Sequence, residues 1–371
     1  MLKLALISDY PPYKCGIANY TGYLANALYS TGLFDMCVIS EGGRQEGAFP
    51  VYDTYSRKGG FRQDIVKKVA EIKPDIVHIQ HALVLFPDTA EFLKMIEEIS
   101  ALGIKIFVTL HTADIGKGRK IDWGIFYKTV LQYGHLIVHN EMCVNSVRHY
   151  GLPTEKVHVI PHGTEFLKLP GKAEARKKLD LPADEFIFLI LGFIHPLKNH
   201  HTVISAFRGL KTAKKCRLLI AGMADRNTWY NRLYIFGCRV LSLFSKKITW
   251  HNVFVKNEDL PLYMGASDMM LMPYWQNYPS ASGIFHLTIG AKLPVICSDC
   301  VKFSEVKDFI KEEDVFIPIF SISGWRRSMS KFAEKPDLLK KVTEKLFDYA
   351  QKTSWPNVAM QHADIFTDAK R

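Results

Sequence analysis

Short apolar runs alternate with longer amphipathic stretches along almost the whole chain. The short runs are typical of buried strands, and stretches with apolar residues three or four positions apart predict helices. In the first half this pattern predicts strands at 2–8, 36–40, 75–80, 105–110, 136–139 and 157–160. It predicts the intervening helices at 17–30, 63–72, 90–101, 125–133 and 141–150. Such a succession predicts a parallel sheet with helices on both faces.

A second series follows residues 165–185, which are rich in Lys, Ala and Pro and are interpreted as a connection between domains. It predicts strands at 186–191, 216–221, 253–255, 268–272, 294–297 and 315–319. The predicted helices are at 200–208, 230–243, 260–266 and from 325 onward, with the last one beginning near Ser354. Because 371 residues exceed one common core, we predict two α/β domains, 1–165 and 166–353.

The composition is that of a folded, soluble protein, with 48% hydrophobic and 23% charged residues. No apolar run reaches the roughly 18 to 20 residues of a membrane span. The chain begins directly with a strand and lacks a signal-peptide cleavage region, which predicts a cytoplasmic protein. The seven cysteines are scattered, which predicts reduced thiols, and the lone Cys297-x-x-Cys300 pair does not predict a metal site.

The formal charge of +11 indicates an acidic partner, which could be nucleic acid, anionic lipid or a nucleoside diphosphate. The basic clusters lie at 57–58, 117–120, 211–215 and 246–247. They contain no aromatic-and-basic array, so we do not expect nucleic acid to be a partner. A basic surface with one aromatic residue in the first domain could contact anionic lipid at the periphery of a membrane. Its residues are Arg57, Lys58, Phe61, Arg62, Lys67 and Lys68.

Four histidines lie at or just beyond predicted strand ends, where parallel sheets bind ligands. They are His81, His111, His139 and His162. A single histidine of this kind is more often half-buried and bonded to the backbone. Four at corresponding ends of one domain favour a pocket.

Three loops at strand ends are suited to binding an anion. The loop 11–20 places Gly16 at the start of a helix, and the loop 192–200 places Lys198 close to a helix N-terminus. In the stretch 273–299, Ser280, Ser282 and Gly283 lie where a loop becomes a helix whose first turn can hold a phosphate. The alternatives are a solvent-facing lysine and an ordinary capped crossover.

The order of these loops resembles the family-four retaining glycosyltransferases of the GT-B architecture. The matching segments are 11–20, 109–112, 159–164, 192–198, 252–255 followed by 260–268, and 280–294. The resemblance spans nearly the full length and implies two Rossmann-like doubly wound domains facing a central cleft, with the helix 354–371 packing back on the first domain. It implies transfer of a sugar from a nucleoside diphosphate donor to a glycan or lipid-linked acceptor. The implied setting is cell-envelope polysaccharide synthesis at the inner face of the membrane, without a cofactor.

The resemblance also implies roles for particular residues. His111 would face the transferred sugar, Lys198 would neutralise the diphosphate leaving group, and the backbone at Val255 would contact the base. The implied donor- and phosphate-binding residues are Gly16, Gly163, His195, Ser280, Ser282 and Gly283. The implied sugar- or acceptor-facing residues are His81, His162 and His286.

The sequence departs from the family pattern at several positions. Pro279 and Leu287 occupy the places of two glutamates, Phe193 replaces a basic residue after Gly192, and His195 stands where some relatives have arginine. These departures indicate a branch without the paired glutamates. They leave open a non-catalytic relative that binds a nucleotide sugar or glycan, and a sugar-phosphate phosphorylase. The chain has no Asp-x-Asp, which is consistent with a metal-independent site.

Overall fold

The computed structural model describes residues 1–13, 15–42, 47–57, 59–113, 121–224, 228–276, 278–312 and 314–368. The basic residues Lys58 and 117–120 therefore lie outside the described residues. The chain forms two compact units. Unit 1 comprises Met1–Gly163, Tyr278–Gly283 and Thr353–Arg371, and unit 2 comprises Thr164–Asn277 and Ile284–Lys352. Tyr278–Gly283 joins unit 1 because the amide of Ala113 donates to the carbonyl of Pro279, at 3.1 Å.

The described part of unit 1 contains a parallel sheet with the strand order β3-β2-β1-β4-β5-β6-β7. Its strands are β1 Leu2–Ile7, β2 Phe34–Ser40, β3 Val51–Asp53, β4 Ile76–His81, β5 Lys105–Leu110, β6 His135–Val138 and β7 Val157–Val159. Its helices are α1 Gly16–Ser30, α2 Phe61–Ile72, α3 Thr89–Ala101, α4 Trp123–Tyr133, α5 Glu141–His149 and, from the C-terminal segment, α14 Trp355–Asp368. The short edge strand β3 is absent from the sequence prediction because it has no apolar run.

The described part of unit 2 contains a second parallel sheet, of order β10-β9-β8-β11-β12-β13. Its strands are β8 Phe186–Leu191, β9 Cys216–Ala221, β10 Ile248–His251, β11 Met269–Met272, β12 Val295–Ser298 and β13 Phe316–Ile317. The helices are α6 Lys172–Lys178, α7 His200–Arg208, α8 Trp229–Ser242, α9 Leu260–Ala266, α10 Gly283–Gly290, α11 Ser304–Lys307, α12 Ile322–Glu334 and α13 Pro336–Lys352. The predicted strand at 253–255 is wrong, because the half-exposed residues Ile248–His251 pair with β9 instead.

Helices cover both faces of the sheet of unit 1. One core contains side chains from α2, α3, α4 and α5, and the other contains side chains from α1 and α14. Trp355 of α14 stacks on Tyr23 of α1, with ring centroids 5.7 Å apart. All seven cysteines are free thiols. No helix among the described residues is long and apolar enough to span a membrane.

Candidate active site

The structure brings three of the four histidines together at the carboxyl edge of the sheet of unit 1. His111, His139 and His162 follow the neighbouring strands β5, β6 and β7. The ring centroids of His111 and His139 are 5.3 Å apart, and those of His139 and His162 are 5.7 Å apart. Tyr20 of α1 packs edge-on against His111 at 4.7 Å and against His162 at 5.0 Å. These rings form a compact aromatic cluster at the edge where parallel sheets bind ligands.

One hydrogen bond fixes the ring of His111, and another fixes the neighbouring ring of His139. Nε2 of His111 donates to the side-chain carbonyl of Gln80, at 2.9 Å, and Nδ1 of His139 donates to the carbonyl of Ile160, at 3.1 Å. In neutral rings the lone pairs on His111 Nδ1 and His139 Nε2 therefore face each other, 3.5 Å apart. Burial, followed by the neighbouring His139, holds the pKa of His111 well below its ordinary value. His111 is therefore a neutral ring whose Nδ1 is directed at His139.

His81 does not face a ligand, which corrects its assignment as a sugar- or acceptor-facing residue. The side chain is fully buried among the rings of Phe86, Phe92 and Phe126, with centroids 4.5 to 6.0 Å away. It shares the alternating face of β4 with Val77 and Ile79, which lie in the same core. Its role is in packing.

Replacing His81 with phenylalanine is expected to reduce the acid sensitivity of unit 1. Burial lowers the pKa of His81 to about 3 from an ordinary 6.5. Between these pH values the unfolded chain binds a proton that the native state does not, so stability decreases by about 1.4 kcal/mol for each unit by which the pH is lowered. When the pH is lowered from 8 to 5, the free energy of unfolding, measured with urea, should decrease by about 2 kcal/mol less in His81→Phe than in the wild type. The exposed His149→Phe change is the control, and an unchanged pH dependence in His81→Phe would contradict the assignment.

The first loop of unit 1 starts α1 through a cysteine cap. The sulfur of Cys15 accepts a hydrogen bond from the amide of Ala18, at 3.2 Å, and its thiol donates to buried Asp9, at 3.1 Å. Gly16 is exposed, and a methyl group built at this position would have nothing within 4 Å. There is therefore space in front of Gly16, and packing does not require a glycine there.

Two of the glycines assigned to donor or phosphate binding, Gly163 and Gly283, lie close to this histidine cluster. A Cβ built on Gly163 would come within 2.3 Å of the Trp355 ring, so packing alone requires glycine at this position. A Cβ built on Gly283 would lie 3.4 Å from His162 Nε2. Ser280 and Ser282 are buried. The assignment of Ser280, Ser282 and Gly283 to a phosphate stays a prediction.

The expected membrane-contacting surface of unit 1 is not supported by its described side chains. Phe61 is buried in the core of unit 1, and Arg57 forms ion pairs with Asp9 and Glu41. Arg62 likewise pairs with two glutamates on α3, and Lys68 with Glu71. The charges of these basic residues are thus compensated within the protein.

In unit 2 two glycines shape the turn after β8. Gly192 has a φ of 106°, which favours glycine. A Cβ built on Gly222 would lie 1.9 Å from the carbonyl oxygen of Gly192. The neighbouring strands β8 and β9 can therefore approach this closely only with glycine at position 222.

Lys198 ends a short 3-10 turn, Pro196–Lys198, at the carboxyl end of the sheet. Nδ1 of His195 accepts a hydrogen bond from the amide of Leu197, at 3.1 Å, so His195 caps this turn. The Lys198 ammonium lies over the ring of Tyr274, 3.8 Å from its centroid. The carbonyl of Leu197 accepts from the amide of Trp275, at 2.7 Å. The loop after β11 thus holds the Lys198 turn in place.

This region contains a second lysine that was not predicted from the sequence. Lys302 follows β12, is partly buried, and precedes Phe303, whose ring lies 5.5 Å from that of Tyr274. Burial, and next the positive charge of Lys198, lowers the pKa of Lys302 to about 7. Strands β8, β11 and β12 are neighbours, so Lys198, Tyr274 and Lys302 come from three adjacent strand ends. A search for basic residues just beyond each strand would have found Lys302.

Val255, assigned to the base, is partly buried against the core of unit 2. Its neighbour Phe254 is exposed, as is Phe193, and their ring centroids are 5.9 Å apart. Phe193 follows β8, and Phe254 follows β10. The two rings offer an apolar surface near Val255. This surface was not predicted from the sequence.

His286 is fully buried, which corrects its assignment as a sugar- or acceptor-facing residue. Its Nδ1 lies 2.8 Å from the Thr164 hydroxyl, and its Nε2 donates to the Glu305 carboxylate at 3.1 Å. The next residue, Leu287, packs against the core of unit 2. In the parts of the chain that the structure describes, no group of three or more His, Cys, Asp or Glu side chains could hold a metal ion.

Two family models match this sequence. Residues 15–166 match Glycosyltransferase Family 4, and residues 171–347 match Glycosyl transferases group 1. The chain belongs to the group 1 glycosyltransferases. The two matches fall on unit 1 and unit 2 respectively, so the histidine cluster and the lysine pair both lie within matched segments of this glycosyltransferase.

This group 1 glycosyltransferase has a distant curated relative. Over 241 residues it is 24% identical to the D-inositol 3-phosphate glycosyltransferase of Streptomyces bingchenggensis, a match that covers 61% of this chain and 50% of the relative. The chain therefore spans about half the length of the curated relative that it matches.

Solved structures confirm the GT-B fold of this glycosyltransferase. Sucrose-phosphate synthase from Thermosynechococcus elongatus has a TM-score of 0.77 at 16% identity, covering 100% of this chain and 99% of that one. Anabaena HepE in complex with UDP and glucose has a TM-score of 0.72 at 13% identity, covering 99% of this chain and 100% of that one. The predicted pair of Rossmann-like parallel-sheet domains is therefore confirmed.

Proposed function

We propose that the protein is a retaining glycosyltransferase that moves a sugar from a nucleoside diphosphate donor to a glycan or lipid-linked acceptor. We place this reaction in the synthesis of cell-envelope polysaccharide, without a metal or another cofactor. Membership of the group 1 glycosyltransferases supports the reaction class. The UDP and glucose in the similar HepE structure support a nucleotide-sugar donor.

The lysine pair in unit 2 is the observation that carries this proposal. The ammonium of Lys198 lies 3.8 Å from the centroid of the Tyr274 ring, and Lys302 directly precedes Phe303, whose ring lies 5.5 Å from that of Tyr274. Two partly buried lysines at adjacent strand ends, of which Lys302 can take up a proton when an anion binds, suit a ligand that brings at least two negative charges. A diphosphate meets this requirement. We assign Lys198 to the leaving phosphate and Lys302 to the same diphosphate.

Glycosyl transfer of this kind passes through an oxocarbenium-like state while negative charge grows on the departing phosphate oxygen. Cations already held in place stabilise that oxygen without the cost of reorienting water. For the transferred sugar we propose His111, whose neutral ring leaves the developing positive charge unopposed. The hydrogen bond to Gln80 holds this ring in place.

For the nucleobase we propose a position on the rings of Phe193 and Phe254, next to the backbone of Val255. An exposed aromatic pair can stack with any base. It therefore gives no preference among uridine, guanosine and adenosine donors.

A panel of nucleotide sugars tests the proposed function. Thermal-shift measurements identify the donor that stabilises the protein, and release of the nucleoside diphosphate then reports transfer. The configuration of the product at the transferred carbon distinguishes retention from inversion. Binding of a donor without release in the presence of any glycan or lipid-linked acceptor would favour the non-catalytic alternative. Leu287 motivates that alternative, because an apolar side chain packed in the core cannot bind ribose hydroxyls.

Binding of the donor diphosphate is expected to be coupled to proton uptake at Lys302. The pKa of about 7 leaves this lysine mostly neutral at pH 8 in the empty site. A bound anion favours the ammonium form, so the pKa rises and a proton is taken up. Calorimetry of UDP binding at pH 8, in buffers that differ in ionisation enthalpy, should show uptake of about one proton or less.

The Lys302→Met variant should take up no proton and bind UDP about tenfold more weakly, as expected for the loss of one partly buried charge contact. Lys340→Met, an exposed lysine on α13, is the matched control. If the heat of UDP binding is the same in every buffer for the wild-type protein, Lys302 is not the titrating group.

A further inference from the structure

Helix α8 carries a line of exposed apolar side chains on its outer surface. Trp229, Leu233 and Phe236 are 76%, 62% and 64% exposed, and Val240 is exposed one turn further on. Beyond the end of the helix, Leu243 is 80% exposed and Phe244 is 71% exposed. We call these six residues the α8 stripe. Their spacing of three and four positions places the helical members on one face.

The opposite face of α8 already anchors the helix to unit 2. Asn231, Cys238 and Ser242 are buried on that face, and the Trp250 indole donates to the Ser242 hydroxyl at 3.0 Å. The α8 stripe is therefore not needed to hold the helix in place. A continuous apolar surface of this kind on a soluble domain indicates an interaction site.

The charges along the same segment indicate the chemistry of the partner. Residues 229–247 contain Arg232, Arg239, Lys246 and Lys247 and no acidic residue. Arg232 and Arg239 are exposed and lie seven positions apart, on one flank of the α8 stripe. The guanidinium of Arg208 lies over the ring of Phe244, 4.8 Å from its centroid. Positive charge thus borders the α8 stripe along one flank and at its aromatic end.

We propose that the α8 stripe binds the surface of an anionic lipid bilayer, with α8 lying in the plane of the headgroups. Helices that lie in this plane bury Trp, Phe and Leu side chains at the boundary of the acyl chains and keep Lys and Arg at the headgroups. The apolar residues contribute hydrophobic burial, and each basic residue near the surface adds attraction to anionic lipid. The composition of α8 meets both requirements.

A second copy of the chain fits the same surface less well. In a symmetric dimer the α8 stripe would face itself, because a two-fold interface uses the same patch on both subunits. Arg239 of both copies would then be brought together. Like charges across an interface oppose association, whereas an anionic bilayer compensates them.

Sedimentation of the full chain with lipid vesicles tests the proposal. We expect binding to vesicles of phosphatidylcholine mixed with phosphatidylglycerol, and weaker binding to phosphatidylcholine alone or at high salt. The Leu233→Glu/Phe236→Glu variant should bind the mixed vesicles at least about tenfold more weakly. The Arg232→Gln/Arg239→Gln variant should lose much of the preference for anionic lipid while keeping the affinity for phosphatidylcholine.

The Val84→Glu/Leu102→Glu variant is the matched control, because it adds the same charge at exposed apolar positions of unit 1. Its vesicle binding should equal that of the wild type, and circular dichroism should show all variants folded. Equal binding by the Leu233→Glu/Phe236→Glu variant, or no binding of the wild type to mixed vesicles, would overturn the proposal. So would a wild-type dimer that this variant disrupts in sedimentation velocity without lipid. None of these measurements depends on donor turnover, so they are independent of the proposed activity.

Discussion

Replacing Lys198 with alanine is expected to lower kcat for sugar transfer by about 10²- to 10³-fold, the usual effect of removing one fixed group that stabilises developing negative charge. Negative charge on the departing phosphate is larger in the transition state than in the bound donor. The loss should therefore appear mainly in kcat, with a smaller change in KM. Steady-state release of the nucleoside diphosphate from the donor that the panel identifies is the measurement.

Lys198→Arg and Lys340→Ala sharpen this test. Arginine keeps the charge but has a different shape, so Lys198→Arg should retain more activity than the alanine variant. Lys340 is exposed on α13, and its alanine variant should match the wild type. Full activity of Lys198→Ala would remove Lys198 from the reaction and leave the lysine pair with a structural role only.

Replacing Gly163 with alanine is expected to destabilise unit 1 by about 2 to 4 kcal/mol. The added methyl group would come within 2.3 Å of the Trp355 ring, where no atom can be accommodated without displacing α14. The resemblance assigns Gly163 to the donor, whereas its packing predicts an effect on folding. Urea unfolding followed by tryptophan fluorescence measures the change.

Gly171→Ala provides the comparison for this effect. A Cβ at position 171 would have nothing within 4 Å, and the φ of Gly171 is −59°, which alanine also adopts. This variant should unfold at the same urea concentration as the wild type or a slightly higher one. If Gly163→Ala is equally stable but binds UDP more weakly, the donor assignment is correct and the packing argument is wrong.

The strands with long apolar runs were predictable from the sequence to within about two residues. β11 and β12, at Met269–Met272 and Val295–Ser298, are examples, because buried parallel strands leave a continuous hydrophobic signal. β3 and β10 lie at the sheet edges and are partly exposed. Their mixed polar and apolar residues give no such signal, so the first was missed and the second was misplaced.

The histidines show how far a site can be predicted from the sequence. His111 and His139 lie one residue beyond strands, so they stand at the ligand-binding edge. His81 is still within β4, and the two-residue period places it with Val77 and Ile79 in the core. Applying that period to β4 would have excluded His81. The burial of His286 and the proximity of Lys302 to Lys198 depend on long-range packing that no local pattern encodes.

The closeness of Lys198 and Lys302 has a consequence for turnover. Under the proposed assignment, we expect the proton that Lys302 acquires with the donor to remain on it after the sugar is transferred, because the nucleoside diphosphate still carries its phosphates. When the nucleoside diphosphate leaves, Lys302 must either lose this proton to solvent or stay charged without the anion that stabilised the ammonium form. At lower pH we expect the nucleoside diphosphate to dissociate more slowly. At higher pH we expect it to dissociate faster and the donor to bind more weakly. If Lys302 has the proposed role, we expect product inhibition and donor affinity to change together with pH.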